Sequence, residues 1–391
     1  MDFAFSKRLP ASFDKNRITR LRHELPELPF DLTVSNPTRC GFEYPPRLLA
    51  PLAAPDGLTY QPETRGPQPC REAIAASYDG FGCAIDKEQI VATASTSEAY
   101  SFLFKLLTDP GDTIMVSNPC YPLFDSLARL DNLNLATYSM DLDAGCRLDF
   151  ADLENAPSST RAVVVVQPNN PTGSLTHPDD ADRLEDLCHR RGWSLIADEV
   201  FLPFVFSGGE EQRAQSFAGR SGCPVFSLGG FSKSLGLPQL KLAWIVVSGP
   251  QELRPAVMER LDFITDAYLS VNTPVALHAA ELIAAGNEVA RQITSRCQSN
   301  LTSLDAQCLQ VPAVTRMPSA GGWSAVLRIP TVVSEEDLVV SLMADHGVAV
   351  HPGYFYDFPA EGFLVLSLLP HDEVFSAGIQ RTLAAIADSI R

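Results

Sequence analysis

Between about residues 55 and 275, short runs of β-branched and other apolar residues alternate with amphipathic segments. This alternation is typical of βαβ units, which build a mostly parallel sheet. The run at 162–166 is apolar at every position, as expected for a strand that is covered on both faces. The predicted strands are 89–94, 113–117, 162–166, 194–197, 225–228 and 243–247.

Helices are predicted from the signals at their ends. Ser95 precedes Glu98 by three positions, which is the spacing of a capping box, and the turn at 109–111 ends the apolar helical pattern that follows. A second helix is predicted between acidic residues at 177–180 and the cations and glycine at 190–192, because these charges complement the helix dipole.

The pattern changes after about residue 275, where helices become longer and strands become isolated. We therefore predict a large domain at 51–275, a smaller α+β domain at 276–391 and an N-terminal arm at 1–50 that packs with the smaller domain. The elements predicted in the smaller domain are strands at 321–327, 348–351 and 363–368 and helices at 334–346 and 373–391.

Composition limits the possible functions. The chain has 391 residues, of which 45% are hydrophobic, and this is typical of a packed globular protein. Its net charge of −17 argues against binding to nucleic acid or to an anionic membrane surface. Nine cysteines are scattered singly, so we expect reduced thiols, a cytoplasmic location and no metal site. The sequence has no run of about 18 apolar residues and no signal-peptide pattern at its start, so we expect a soluble protein.

Lys233 is the first candidate for chemistry, because it follows an apolar strand and lies among small and apolar residues. Burial lowers the pKa of an amine, which can then form an imine with an aldehyde. A Ser-Lys pair alone also fits a surface loop. Three further segments, at 119–122, 169–173 and 198–199, however, follow or end other predicted strands in one order along the chain. Together the four segments predict a pocket for pyridoxal 5'-phosphate (PLP), held by Lys233 as a Schiff base.

Two side chains are predicted to hold the pyridine ring. Asp198 ends a buried strand, at the edge where α/β sheets bind ligands, and a protonated ring nitrogen would supply the cation that a buried carboxylate needs. Asn170 could donate to the ring oxygen from a loop that is stiffened by two prolines. A helix cap or ion pair for Asp198, and a simple Asn-Pro turn, are the alternatives.

The remaining cofactor contacts are less specific. Ser95, Thr96 and Ser97 lie at a predicted helix start, where free N–H groups and hydroxyls favour a phosphate, although a plain helix cap would look the same. Tyr121 could stack on the ring or belong to the core. Lys241 offers a point charge to the phosphate.

These residues, in this order, resemble the class I/II aminotransferases, the aspartate aminotransferase superfamily of PLP fold type I. The blocks at 169–173, 198–201 and 232–238 carry the likeness, which runs from about Thr38 to the C-terminus. It implies an α/β fold with a mostly parallel seven-stranded sheet, flanked by helices, in the large domain. It also implies that Lys233 is the Schiff-base lysine and general base, that Asp198 meets the ring nitrogen, and that Ser232 lies beside the cofactor. Tyr60 matches a tyrosine that reaches the neighbouring subunit's phosphate, which implies a homodimer with shared active sites.

The chain departs from the family on the cofactor side at three positions. Phe201 stands where the family has a tyrosine, so one donor to the ring oxygen is missing. Lys241 replaces the phosphate arginine, and Gly230 replaces a serine. We therefore expect fewer contacts to the cofactor than the family usually makes.

A fourth departure concerns the substrate. Val365 occupies the place of the arginine that grips the substrate carboxylate in the family, so that bidentate contact is absent. Either another cation serves, with Arg39 or Arg47 as candidates, or the amino donor is not a standard α-amino acid. Asn36 lies where the family's N-terminal segment meets the substrate.

The favoured function is that of a PLP-dependent aminotransferase, which moves an amino group from a donor to a keto acid. A lyase, cyclase or decarboxylase of the same fold is the nearest alternative, because these enzymes share the ring-holding residues. A PLP-sensing regulator would need a DNA-binding domain, for which the pattern leaves no room. An α/β protein without a cofactor is the remaining alternative.

Overall fold

The computed structural model of the chain describes residues 4–206 and 216–390. Three sheets organise it, of eight, four and two strands within those residues. The strands are β1 (Phe30–Asp31), β2 (Ile90–Thr93), β3 (Thr113–Asn118), β4 (Asn134–Asp141), β5 (Arg147–Leu148), β6 (Thr160–Val166), β7 (Ser194–Asp198), β8 (Val225–Gly230), β9 (Ala243–Ser248), β10 (Thr315–Arg316), β11 (Ser324–Arg328), β12 (Val348–Ala349), β13 (His351–Pro352) and β14 (Phe363–Ser367). The helices are α1 (Arg17–Glu24), α2 (Gln68–Ser77), α3 (Thr96–Leu107), α4 (Leu123–Leu130), α5 (Phe150–Glu154), α6 (Pro178–Arg191), α7 (Phe231–Ser234), α8 (Arg254–Tyr268), α9 (Thr273–Leu277), α10 (Ala279–Cys308), α11 (Glu335–His346) and α12 (Asp372–Ile390).

The large sheet has the order β2-β9-β8-β7-β6-β3-β4-β5. Its five neighbours from β8 to β4 are parallel, whereas β9 is antiparallel to both β2 and β8. The predicted α/β class and mostly parallel sheet are confirmed. Instead of seven strands the sheet has eight, because the two-residue β5 pairs antiparallel with β4. Sequence analysis also missed β4 itself, because most of its positions are exposed or half-buried and no apolar run marks it.

Both faces of the large sheet are covered. Val164 and Ile196 pack in a cluster with residues of α3, α4 and α8, whereas their neighbours Val163 and Leu195 pack with residues of α5 and α6. This two-sided burial explains why residues 162–166 of β6 are all apolar, whereas Arg161 near the start of the strand is exposed. The predicted helix starts are also confirmed, because Ser95 caps α3, His177 caps α6 and Gly192 ends α6 in the left-handed conformation.

The four-stranded sheet has the order β10-β11-β14-β13 and is antiparallel throughout. Ile18 and Leu32 of the N-terminal segment share one hydrophobic cluster with Val289, Leu342 and Ile379 from the C-terminal third. The segment also adds a strand there, since β1 pairs in parallel with β12. None of the helices in the described parts of the chain is long and apolar enough to cross a membrane.

Candidate active site

A pocket of about 460 Å³ opens at the carboxyl ends of the parallel strands, between the large sheet and the four-stranded sheet. The large sheet contributes Asp198 at the end of β7, Asn170 after β6 and Lys233 after β8. The four-stranded sheet closes the other side with residues of β11, β13 and β14. Parallel topology therefore brings together polar residues that lie on separate segments of the sequence.

Lys233 lies in the short helix α7, which begins directly where β8 ends. Its Nζ atom lies 5.2 Å from the ring centroid of Trp323 and 5.8 Å from that of Phe201. Burial lowers the pKa of Lys233, and the nearby charge of Asp198 opposes this effect. A buried amine among aromatic rings, whose pKa is lowered, is a suitable nucleophile for an aldehyde.

Asp198 is held by two uncharged donors. The hydroxyl of Tyr100 donates to its Oδ2 atom over 2.9 Å, and the N–H of Val200 donates to Oδ1 over 3.2 Å. Burial raises the pKa of Asp198, although both hydrogen bonds and Lys233 act in the opposite direction. Within the described residues no cationic side chain pairs with this carboxylate. A protonated pyridine nitrogen fits that requirement, so the site passes this test for PLP.

The loop after β6 is fixed by Asn169, a residue to which sequence analysis gave no role. The side chain of Asn169 donates to Ser117 and accepts from Thr172, over 3.2 and 2.9 Å respectively. These contacts leave the partly buried amide of Asn170 in the pocket wall without a hydrogen-bond partner in the described residues. Asn170 is therefore free to bind a ligand.

At another part of the pocket wall, Ser95, Thr96 and Ser97 form the start of α3. The Ser95 hydroxyl accepts from the N–H of Glu98 over 3.1 Å. It is thus a helix cap, and its own proton is still available to an anion. Thr96 and Ser97 lie in the first turn, where N–H groups are free for a phosphate. The same pocket is lined by Ser232 and by Lys241, which is exposed.

Two aromatic residues predicted from the sequence also line the pocket. Tyr121 is 44% exposed, so it is not a core residue and its ring is accessible to a ligand. Phe201 is buried and packs edge-to-face on Trp323, with 5.3 Å between the ring centroids. Sequence analysis gave no role to Tyr100, Trp323 or His351, because none of them carries a local signal. Tyr100 lies only three positions after Ser97, but its contact with Asp198 depends on how α3 packs on the sheet. Trp323 and His351 lie far along the chain from the motifs.

Four predicted residues lie outside this pocket. The exposed Asn36 accepts hydrogen bonds from the N–H and hydroxyl of Thr38, and the exposed Arg39 and Arg47 are likewise not part of the lining. Tyr60 is 64% exposed and lines a separate surface depression together with Leu269. From the N-terminal segment, the pocket is lined instead by Thr33 and Ser35.

Comparison with known proteins places these features in a family. Residues 47–374 match the model of the family described as aminotransferase class I and II. An alanine aminotransferase of Mycobacterium tuberculosis is 26% identical over 363 residues, which cover 90% of this chain and 83% of that protein. A glutamate-pyruvate aminotransferase of Haemophilus influenzae is 21% identical over 368 residues, which cover 91% of this chain and 90% of that protein.

Solved structures share the fold. An aminotransferase from Escherichia coli superposes with a TM-score of 0.85 at 19% identity, covering 99% of both chains. An alanine aminotransferase from Pyrococcus furiosus gives a TM-score of 0.83 at 19% identity, covering 95% of both chains. The family match spans most of the sequence and the pocket fits the family's cofactor, so this chain belongs to the class I and II aminotransferases and is a PLP-dependent aminotransferase.

Proposed function

We propose that Lys233 is the residue that binds the cofactor and moves protons during amino-group transfer. When bound, PLP supplies an aldehyde carbon that accepts an amino group and a ring that withdraws electrons. Lys233 then acts as the base that takes a proton from the substrate's α-carbon and returns a proton to the product. The observation that carries this proposal is the burial of Lys233 in a pocket opposite Asp198, which lowers the pKa of its amine.

The residues that the large sheet contributes to the pocket form its large-sheet wall. In this proposal, those other than Lys233 position the cofactor. Asp198 holds the proton on the ring nitrogen, and Tyr100 and the N–H of Val200 orient the carboxylate. Asn170 donates to the ring oxygen, while Phe201 and Tyr121 contact the ring faces or edges. Since Phe201 has no hydroxyl, the oxygen receives one donor fewer than a tyrosine would give it.

The phosphate is assigned to the start of α3. Ser95, Thr96 and Ser97 supply hydroxyls and backbone N–H groups, Ser232 supplies a further hydroxyl, and Lys241 supplies positive charge. The location of Ser95 at the N-cap of α3 supports this assignment, because the helix dipole favours an anion there.

We further propose that the active form is a homodimer. Leu58, Tyr60, Phe263 and Leu269 are large apolar residues that are at least 57% exposed, which is unusual for a surface that stays in water. The same region adjoins the start of α3, because the hydroxyl of Ser270 donates to Glu98 over 2.7 Å. In such a dimer Tyr60 reaches the partner's phosphate site.

The proposed substrates are an amino acid and a 2-keto acid that each carry one carboxylate near the reacting carbon. The names of the relatives, alanine and glutamate-pyruvate aminotransferase, support substrates of this kind. Arg39 and Asn36 would contact substrate only if the N-terminal segment moves towards the pocket. In that segment, Thr33 and Ser35 line the pocket directly.

Two broader expectations belong to the same proposal. The chain divides into a large domain at 51–275 and a small domain at 276–391, with 1–50 as its arm, a division that the shared cluster of N- and C-terminal residues supports. A cytoplasmic location is supported by the nine cysteines, all of which are free thiols.

An absorbance titration of the purified holoenzyme tests the proposed reaction. The visible band of the bound cofactor should shift to shorter wavelength when a suitable amino acid is added, and it should return when a 2-keto acid follows. If an amino acid releases product without this reversible shift, the reaction is a lyase, cyclase or decarboxylase reaction instead.

A further inference from the structure

None of the described residues that line the substrate side of the pocket is an arginine. Among the described residues that line it, the basic side chains are Lys233, Lys241 and His351. The first two are assigned to the cofactor in the proposed function, on which this inference rests. A substrate carboxylate that leaves water needs a hydrogen-bond donor or a cation, so His351 is the remaining basic candidate.

The sheet register places His351 directly beside the departure from the family. His351 of β13 is paired with Val365 of β14, in an antiparallel arrangement. Residues directly opposite each other in such a pair point to the same face, with Cβ atoms about 5 Å apart. Both side chains line the pocket, as this geometry requires. An imidazole is thus held next to the position where the family has its guanidinium.

The imidazole of His351 is held by ring contacts, but its nitrogen atoms make no hydrogen bond to the described residues. Its ring packs against Phe355 and Tyr356, with centroid distances of 5.7 and 6.0 Å. No hydrogen bond to either ring nitrogen occurs within the described residues. The side chain therefore keeps both of its hydrogen-bonding groups for a ligand.

The charges around His351 favour a neutral ring before a substrate binds. Burial lowers the pKa of His351, and the carboxylate of Asp31 on β1 opposes this only in part. On α11, which packs against β13, Glu335 is engaged by the N–H groups of Gly362, Phe363 and Tyr354. Lys233 is the cation across the pocket, and the phenols of Tyr121 and Tyr356 also line it. Burial raises the pKa of Tyr356 to about 12, so this phenol stays neutral.

We infer that His351 binds the carboxylate of the amino and keto substrates, in place of the arginine that Val365 replaces. A carboxylate within hydrogen-bond distance stabilises the protonated imidazole, so the ring takes up a proton as the substrate binds. The proton comes from the solvent, and it returns there when the product leaves. Carboxylate binding is therefore strongest at low pH and weakens as the pH rises through the pKa of His351 in the complex.

Calorimetry of the holoenzyme with an unreactive probe tests this inference. The probe is 3-phenylpropanoate, whose apolar body suits an aromatic pocket, and its uncharged control is 3-phenylpropanamide. Titrations at pH 7.5 in two buffers of different ionisation enthalpy report the protons taken up. We expect uptake of up to one proton per site with the carboxylate and none with the amide.

His351→Gln keeps a donor but cannot be protonated. It should abolish the proton uptake and weaken carboxylate binding about 10- to 100-fold, the range for a hydrogen bond to a charged group. Amide binding should not change. Equal uptake and affinity in the wild type and His351→Gln would overturn the inference. The pH dependence of the wild type gives a second measurement that needs no variant, because carboxylate affinity should fall with rising pH while amide affinity stays constant.

The two proposals fail in different ways. If amino acids shift the cofactor absorbance reversibly but carboxylate binding does not depend on His351, the reaction stands and this inference is wrong. If no amino acid and keto acid pair produces the reversible shift, the proposed reaction is wrong, whatever His351 binds.

Discussion

The two walls of the active-site pocket differ in how they relate to the family. The large-sheet wall carries Lys233, Asp198 and Asn170 at the ends of parallel strands, in the order on which the resemblance to the family rests. The four-stranded wall presents His351 opposite Val365, at the position where the resemblance to the family implies an arginine. The difference supports our proposals that the chemistry of the cofactor is retained on one wall and that substrate recognition is rebuilt on the other.

Replacing the lysine should give the largest effect and test the large-sheet wall directly. Lys233→Ala removes the base that moves the α-proton, so we expect the rate of the amino-transfer half-reaction to fall at least about 10³-fold. Stopped-flow absorbance measures this rate. Lys241→Ala is the matched control, since it should loosen the cofactor but leave the rate of the loaded enzyme within about 10-fold. Similar losses in both variants would contradict the proposed role of Lys233.

Asp198→Asn should separate function from stability on the same wall. The amide keeps contact with Tyr100 but cannot neutralise a protonated ring nitrogen, so we expect the half-reaction to slow about 10²-fold or more. The cofactor-free protein should instead become more stable, because burial raises the pKa of Asp198 and the ionised carboxylate therefore opposes folding near neutral pH. Stopped-flow absorbance measures the rate of the half-reaction, and thermal unfolding with and without PLP measures the stability of each form. A loss of stability without the cofactor would contradict this explanation.

Glu199 directly follows Asp198 but does not line the Lys233 pocket. It therefore tests whether a carboxylate at this end of β7 affects the amino-transfer rate only when it faces that pocket. Its carboxylate lies outside the Lys233 pocket and accepts from the Ser216 hydroxyl and the Phe217 N–H, each over 2.6 Å. Burial raises its pKa from 4.5 to about 7, so the folded protein binds this proton more tightly than the unfolded chain. Stability should therefore fall between about pH 4.5 and 7, by roughly 3 kcal/mol in total.

Glu199→Gln should remove that loss, with little change in amino-transfer rate. Denaturant unfolding of the wild type and the variant at pH 5 and pH 8 measures the effect, and the variant should gain relative stability at pH 8. A large fall in the half-reaction rate, or the same pH dependence of stability in both proteins, would contradict this prediction.

Gly230 gives the smallest expected effect. It tests why the large-sheet wall has a glycine where the resemblance to the family implies a serine. A Cβ atom at this position would lie 2.9 Å from the Cβ of Ala243 on the neighbouring strand. Gly230→Ser alone should therefore destabilise the protein by about 1–3 kcal/mol. Adding Ala243→Gly should recover most of that loss, as a double-mutant cycle of unfolding free energies would detect. Additive effects would show that the two side chains do not compete for space.

The sequence by itself determined the large-sheet wall. The fully apolar run at 162–166 predicted a strand buried on both faces. Residues that follow such strands in a parallel sheet meet at the same edge of that sheet. Lys233, Asp198 and Asn170 could therefore be predicted from the sequence to share a pocket. Local end signals likewise fixed the starts of α3 and α6.

Only the tertiary structure decided the other contacts. Tyr100 reaches Asp198 across 98 positions of sequence, and its role depends on how α3 packs on the sheet. His351 lies opposite Val365 only because of the register between β13 and β14, and a shift of one residue would turn it to the other face. Neither side chain carries a local signal, because packing and register are properties of the whole chain.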